Sequence, residues 1–89
     1  MNVHNMPSPK TGNPVANQFV INDDNGNTFF QSYNSIIVKK NFDGIFLDVE
    51  TWNYSRTTSK YRSLFLNENT ATTRKKIKDG LYKLINLNQ

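Results

Sequence analysis

Short runs of alternating apolar and polar residues fill the first half of this chain, a period typical of β-strands. The first predicted strand begins at residues 19–21, and residues 28–32 should return antiparallel to it. Between them, Asn25 and Gly26 form a strong hairpin signal because both residues tolerate positive φ. The pattern therefore predicts a β-hairpin at the start of the folded region.

Further strands are predicted to follow this hairpin. Residues 33–35 interrupt the pattern as a bulge or tight turn before the β-branched run at 36–38, and residues 41–44 are typical of a second turn. In the next segment, 45–49, side chains should alternate between the two faces of a strand. Together these segments predict an antiparallel meander of three to four strands.

The hydrophobic period changes after residue 54. Tyr61, Leu64 and Phe65 fall on one stripe of a helix. Ser55 is a suitable N-cap for that helix, because its hydroxyl oxygen can accept a hydrogen bond from a free N–H of the first turn. The sequence therefore predicts a helix that begins after Ser55 and packs its apolar stripe on the sheet.

A second, shorter helix is predicted from about Thr70 to Gly80, with Ile77 as its strong apolar anchor and Gly80 left-handed after its end. Residues 81–87 either form a final strand or continue as helix after a kink at Gly80, and we favour the strand. The predicted fold class is α+β. It is an antiparallel β-meander of three to four strands, followed by one or two short helices packed on the sheet and the final C-terminal strand.

Residues 1–17 differ in character from the remainder. They contain all three prolines and few side chains that a core could bury, which predicts a flexible N-terminal arm. The 89-residue chain is long enough for one domain and too short for two. Residues 18–89 are therefore predicted to fold as a single α+β domain, with aromatic side chains supplying most of its core volume.

Several groups that carry catalysis are missing from the sequence. There is no cysteine, which excludes thiolate zinc sites and thiol nucleophiles and fits a reducing cytoplasm. The single histidine, His4, lies in the predicted arm, and the four glycines stand apart instead of forming a phosphate loop. No apolar run approaches the length of a membrane span. We therefore expect a cytoplasmic, non-enzymatic protein with no metal, cofactor or membrane partner.

The carboxylates offer two weaker candidates for chemistry. Asp23 and Asp24 precede the Asn-Gly pair as in a calcium loop, but the glutamate that should close such a loop is missing, so a hairpin turn explains them better. Asp48 and Glu50 share one predicted strand face and could form an acid–base or metal-binding pair. An enzyme that uses this pair stays an alternative, although strand-face solubility explains the pair more simply.

Positive charge is concentrated in the second half of the chain. Residues 1–50 carry three lysines against five carboxylates, a net charge of −2, whereas residues 51–89 carry eight cations against two carboxylates, a net charge of +6. In the predicted helices like charges recur at i,i+3 and i,i+4, and each such pair costs about 0.2–0.5 kcal/mol in an isolated helix. The tolerated repulsion predicts a polyanion or an acidic protein surface as partner. A solvated basic face is the alternative explanation.

Trp52 and Tyr54 lie at the predicted strand-to-helix junction, beside Arg56. If exposed, they could stack on bases or anchor in a protein pocket; if buried, they close the core between sheet and helix, which we favour for Trp52. The candidate binding residues are Trp52, Tyr54, Arg56, Lys60, Arg62, Arg74, Lys75 and Lys78.

Two blocks of sequence resemble a family of short proteins encoded by phages and prophages of AT-rich Gram-positive hosts. The blocks are FQSYNSII at residues 30–37 and WNYSRTTSKY at residues 52–61. The resemblance implies no catalytic residue. It implies an anti-CRISPR-like inhibitor of a host defence nuclease or nucleoprotein complex, in the host cytoplasm. Together with the charge pattern, we expect such an inhibitor to bind through its basic helical face. The alternative is direct nucleic-acid binding with salt-dependent phosphate contacts.

Overall fold

A computed structural model describes residues 1–88 of the chain as six β-strands and two α-helices. The strands are β1 (Asn2–Pro7), β2 (Pro14–Asn22), β3 (Thr28–Ser32), β4 (Ser35–Asn41), β5 (Gly44–Asp48) and β6 (Tyr82–Ile85). The helices α1 (Arg56–Leu66) and α2 (Thr70–Lys78) lie between β5 and β6 in the chain. The predicted α+β class is confirmed, with more strands than the predicted meander contained.

All six strands belong to one sheet, in which the spatial order follows the chain order. Neighbouring strands from β1 to β5 are antiparallel, as expected of a meander, but β6 runs parallel to β5. A parallel pair needs a long crossover connection, and α1 and α2 supply it here. The favoured alternative for residues 81–87, a final strand, is therefore confirmed over residues 82–85.

The hydrophobic core lies between the helices and one face of the sheet. Phe30 and Leu47 from the sheet are fully buried, and Tyr61 of α1 and Tyr82 of β6 are nearly so. The rings of Phe30 and Phe65 stack with their centroids 5.8 Å apart, which fastens α1 to the middle of the sheet. Both helices therefore pack on the same face, which we call the covered face.

The predicted flexible arm over residues 1–17 is wrong, because this segment contains β1 and the first part of β2. The two strands pair antiparallel, and Met6, which is 6 % exposed, joins the core. The side-chain amide of Asn5 donates to the carbonyl oxygen of Val15 at 2.8 Å. Pro7 and Pro14 stand at strand ends, where a missing backbone N–H is tolerated.

A tight turn and a β-bulge connect β3 and β4. Tyr33, which is 47 % exposed, adopts a left-handed φ of 56° in the turn. The pairing then shifts by one residue, so that Ile37 is the extra residue opposite the junction of Phe30 and Gln31. The bulge places both Ile37 and Val38 in the core. The interruption predicted at residues 33–35 is therefore a turn followed by a bulge.

The helix termini follow the predicted signals. At the start of α1, the Ser55 hydroxyl oxygen accepts a hydrogen bond from the N–H of Thr58 at 3.1 Å. The Asn69 side chain caps α2 in the same way. After the end of α2, Gly80 adopts a left-handed φ of 82°. The predicted apolar stripe of α1 is wrong at Leu64, which is 44 % exposed. The stripe facing the sheet runs instead through residues 58, 61, 62 and 65.

Candidate anion-binding face

The outer side of α2 forms a shallow groove with an excess of positive charge. Arg74, Lys75 and Lys78 line it together with Ala71 and Asp79. Residues three and four apart lie on the same side of a helix, which explains why these cations share one surface. We call these five residues the basic groove.

Trp52 supports one end of the basic groove. Its ring is half-buried and packs against the core, so the structure combines the two alternatives of a core and a surface residue. The Cζ atoms of Arg62 and Arg74 lie 5.2 Å and 5.3 Å from the centroid of the Trp52 ring. This cation–π contact restricts the conformations of the Arg74 side chain and so holds its guanidinium beside the groove.

Arg62 is fully buried, although it was predicted as a binding residue. Its Nη1 donates to the carbonyl oxygen of Trp52 at 2.6 Å and to Oδ1 of Asn53 at 3.1 Å. Its Nη2 donates to the hydroxyl oxygens of Ser63 at 3.2 Å and Thr70 at 2.7 Å. The guanidinium thus joins the loop before α1 to both helices.

The surroundings of Arg62 also act on its protonation. Burial lowers the pKa of the Arg62 guanidinium, and the nearby charge of Arg74 adds to this, while Glu68 acts in the opposite direction. Because its hydrogen-bond donors are directed inward, Arg62 cannot contact a partner at the surface. Its predicted role as a binding residue is wrong, and its role is structural.

The cations of α1 do not line the basic groove. Arg56 and Lys60 are exposed at i,i+4 spacing, and Nζ of Lys60 lies 5.4 Å from the ring centroid of Tyr61. Lys60 contributes instead to a second shallow groove between α1, the start of α2 and the β1–β2 turn. Tyr54, which is 52 % exposed, precedes Arg56. The predicted basic helical face therefore consists of two separate parts.

Carboxylates neutralise two of the lysines on α2. Nζ of Lys75 lies 2.8 Å from Asp79 at i,i+4 spacing, and Nζ of Lys76 lies 2.8 Å from Glu68. Within residues 1–88 the structure shows no ion pair to the remaining two cations of α2. These cations, Arg74 and Lys78, therefore carry most of the uncompensated charge of the basic groove.

Glu68 forms a polar cluster that holds α2 to β6. Its carboxylate accepts from the hydroxyl of Thr73 at 2.6 Å, from Nζ of Lys76 at 2.8 Å and from the hydroxyl of Tyr82 at 2.9 Å. Burial acts to raise the pKa of Glu68, but these hydrogen bonds outweigh it and hold the pKa below its ordinary value. The Tyr82 hydroxyl responds oppositely, since burial and then the Glu68 carboxylate raise its pKa.

Asp48 and Glu50, the candidate acid–base pair, lie in different environments. Asp48 is 2 % exposed, and its carboxylate accepts from the backbone N–H groups of Glu50, Thr51 and Leu87 and from the Thr51 hydroxyl. Burial acts to raise the pKa of Asp48, but hydrogen bonds, first that from Leu87, lower it below its ordinary value. Glu50 is exposed after the end of β5. Asp48 therefore organises the chain around the end of β5.

The Asp23 turn has the geometry that the hairpin explanation requires. Oδ1 of Asp23 accepts from the backbone N–H groups of Asn25 at 2.8 Å and Asn27 at 2.9 Å.

Among residues 1–88 no group of three or more His, Cys, Asp or Glu side chains is placed to hold a metal ion. In the same part of the chain, no helix has both the length and the apolar character needed to cross a membrane.

Two surface features were not predicted from the sequence. Phe42, in the β4–β5 turn, is fully exposed. The predicted turn at residues 41–44 could have indicated this exposure, because a side chain at the tip of a surface turn lies too far from the core to be buried. The second feature is a row of side chains on the uncovered face of the sheet that includes Lys39, Phe46 and Lys83.

The fold and the site define a small α+β protein with a mostly antiparallel sheet and a basic groove on its second helix. Residues 1–80 match a family of unknown function (DUF8033), and the chain belongs to that family. No curated protein and no solved structure matches the chain significantly. The family description names no activity.

Proposed function

We propose that this chain is a non-enzymatic binding protein that docks onto an acidic surface of a host defence nuclease or nucleoprotein complex. The observation that carries the proposal is the alignment of Arg74, Lys75 and Lys78 along the basic groove, with Asp79 as the one acid among its lining residues. A surface of one charge sign accelerates association with an oppositely charged partner and orients it.

The support of Arg74 by Trp52 strengthens this proposal. Binding costs less side-chain entropy when a charged group is already restricted, and Arg74 stacks on a ring that is itself packed on the core. Tryptophan, tyrosine and arginine are also the residue types that most often dominate binding energy. Tyr54 supplies a further exposed aromatic side chain two residues after Trp52.

The choice of a defence complex as partner is supported by the resemblance of residues 30–37 and 52–61 to small phage accessory proteins. An inhibitor with an acidic surface could imitate nucleic acid, but this chain has a net charge of +4. A basic inhibitor must instead bind an acidic protein surface or contact nucleic acid within a nucleoprotein complex.

Binding to a CRISPR nuclease loaded with its guide RNA, to the same nuclease without guide, and to DNA alone tests the proposal. We expect a stoichiometric complex with the nuclease, and roughly tenfold or greater loss of affinity in R74E and in K78E. K10E changes the net charge as K78E does, but in the turn between β1 and β2, and should leave the affinity within about twofold. Absence of nuclease binding, or equal losses in K10E and K78E, would contradict the proposal.

Direct binding of nucleic acid through the helical cations is the second candidate function. It is supported by the exposed, like-charged pair Arg56 and Lys60, which forms a second cationic surface separate from the basic groove. Each phosphate contact should contribute about 0.7–0.9 to the slope of log affinity against log salt concentration. This candidate predicts a shallower slope in R56Q and K78Q, measured on duplex and single-stranded DNA, and an affinity independent of salt would exclude it.

A further inference from the structure

The face of the sheet opposite the helices carries a second set of apolar side chains. Residues directly opposite each other in neighbouring strands share a face. The strand register therefore forms a single row from β2 to β6, which consists of Ile21, Phe29, Lys39, Phe46 and Lys83. We call this face the open face, and its other apolar members are Val3, Phe19, Ile36 and Ile85.

The apolar residues of the open face are separate from the core. Phe19, Phe29 and Phe46 are half-buried, yet none of them belongs to the core or to the side chains that pack against it. Val3 and Ile85 are 54 % and 38 % exposed. Both helices pack on the covered face. On the open face, Leu87 and Asn88 reach past the end of β5 and hydrogen-bond Asp48 and Ile36. The apolar surface around Phe29 and Phe46 is otherwise left without a covering layer in residues 1–88. Surfaces of this kind commonly mark an interaction site.

The charge on the open face is positive. Nζ of Lys39 lies 5.8 Å from the ring centroid of Phe46, and Lys83 pairs in register with Phe46 on the other side. The acid that shares this face among the described strand residues is Asp48, whose buried carboxylate is already hydrogen-bonded to residues after β5. Lys39 also faces the Asp23 carboxylate of the turn after β2, where hydrogen bonds from Asn27 and, more weakly, the charge of Lys39 lower the pKa of Asp23. Within residues 1–88 neither Lys39 nor Lys83 forms an ion pair. Aromatic rings flanked by these two lysines therefore form the centre of the face.

We propose that the open face binds single-stranded nucleic acid, with bases stacking on Phe29 and Phe46 and phosphates contacting Lys39 and Lys83. The two phenylalanines lie on β3 and β5 with β4 between them, which separates their backbones by about 10 Å. Two splayed bases can each use one ring at this spacing, as on other β-sheet platforms for single strands. A duplex offers no free base faces and should bind more weakly.

Charge complementarity favours this occupant over a second copy of the chain. Two open faces packed together would bring Lys39 and Lys83 of both copies into a shared apolar interface, where unpaired charges are costly. A polyanion with flat, aromatic bases matches both the lysines and the rings. The inference concerns a surface on the opposite side of the sheet from the helices, and it does not depend on the function proposed for the basic groove.

Fluorescence anisotropy with labelled 12-nucleotide uridine RNA, thymidine DNA and a duplex of the same length tests the inference. We expect both single strands to bind more tightly than the duplex. F29L and F46L keep an apolar side chain but remove the aromatic ring, and each should weaken binding roughly 5- to 100-fold. K83Q, at an exposed position, should weaken binding and reduce its salt dependence. K10Q, which removes one exposed charge in the turn between β1 and β2, should leave single-strand binding unchanged and serves as the matched control. K78Q is measured beside it to detect binding through the basic groove.

Several outcomes would overturn the inference. No binding of single strands at low salt would do so, as would tighter binding of the duplex, which indicates phosphate contacts without stacking. Losses confined to K78Q would assign the binding to the basic groove instead. Sedimentation of the free protein tests whether a second copy of the chain occupies the open face instead. A dimer that dissociates in F46L would identify the open face as a contact between copies. Circular dichroism confirms that the leucine variants fold, and K83Q remains informative if they do not.

Discussion

Nη1 of Arg62 donates a 2.6 Å hydrogen bond to the backbone carbonyl oxygen of Trp52, and so ties the loop before α1 to the middle of that helix. Nη2 of the same side chain donates to the Thr70 hydroxyl oxygen at 2.7 Å, at the start of α2. One buried guanidinium therefore sets the relative positions of the loop and both helices. The basic groove depends on this link, because Arg74 stacks on the Trp52 ring.

Replacing Arg62 by methionine should destabilise the fold by about 2–4 kcal/mol, because it removes several hydrogen bonds from a charged donor and leaves the Trp52 carbonyl and the Thr70 hydroxyl without that donor. Urea denaturation measures the effect. R56M is the matched control at an exposed position of the same helix and should change stability by less than about 0.5 kcal/mol. Equal stabilities of R62M and R56M would show that the buried network has no structural role.

The burial of Arg62 could not be predicted from its neighbours in sequence. Arg62 lies four residues after Thr58 and three before Phe65, on the side of α1 that faces the sheet. A sequence pattern nevertheless assigns a cation at such a position to solvent. The Trp52 carbonyl and the Asn53 amide become partners only once the 52–53 loop has folded back onto α1, and the Thr70 hydroxyl only once α2 packs beside α1. In contrast, Ser55 and Gly80 act within one helical turn, so their roles were predicted correctly.

Gln18 is fully buried in β2, and neither its Oε1 nor its Nε2 has a hydrogen-bond partner in the structure. Q18M should therefore stabilise the protein by roughly 1–2 kcal/mol, because methionine has a similar shape and removes two buried polar atoms. Thermal unfolding should show a higher Tm. The contrasting variant is T58V, which should lower the Tm because the Thr58 hydroxyl is hydrogen-bonded to Ser32 at 2.8 Å. A lower Tm in Q18M would disprove the expectation.

The Glu68 carboxylate should make the free energy of unfolding depend on pH in the acidic range. Burial opposes ionisation of this carboxyl, but the hydrogen bonds from Lys76, Thr73 and Tyr82 prevail and lower its pKa in the folded state. The stabilisation is therefore fully present above the unfolded-state pKa, about 4.3, and is lost as the pH falls through the lower folded-state pKa. Urea denaturation should show wild type more stable than E68Q at pH 7, with the difference shrinking below about pH 4.

The control for this prediction is E50Q, which replaces an exposed glutamate after β5. Its stability should stay within about 0.5 kcal/mol of wild type at both pH values. A stability difference between wild type and E68Q that is the same at pH 7 and at pH 3 would mean that the charge of Glu68 does not hold α2 to β6.

Asp48 should anchor the chain after β6 as well as the turn after β5. In D48N, one oxygen becomes an NH₂ group, which cannot accept from the N–H of Leu87 or Thr51. We expect a destabilisation of about 1–3 kcal/mol and faster hydrogen exchange at the Leu87 amide. Unchanged exchange at Leu87 would contradict this structural role. D43N, in the β4–β5 turn, is the control and should leave that amide unaffected.

The open face shows a second limit of sequence patterns. Successive residues of β2 and β3 are apolar on both faces, with Phe29 on the open face and Phe30 in the core. Alternation predicts one polar face, and when both faces carry large side chains it cannot identify the one that the helices cover. β1 was missed for a related reason: Met6 is a single apolar anchor, and the remainder of the strand is stabilised by pairing with β2.

The central claim is that an anionic partner occupies the basic groove. The chain has a single tryptophan, so the indole N–H of Trp52 gives one cross-peak in the ¹⁵N-correlated NMR spectrum of the labelled protein. On addition of unlabelled, guide-loaded nuclease, we expect this peak and the backbone amides of residues 71–79 to shift or broaden first. Unchanged signals from Trp52 and α2, with complex formation shown by sedimentation in the same sample, would contradict the account.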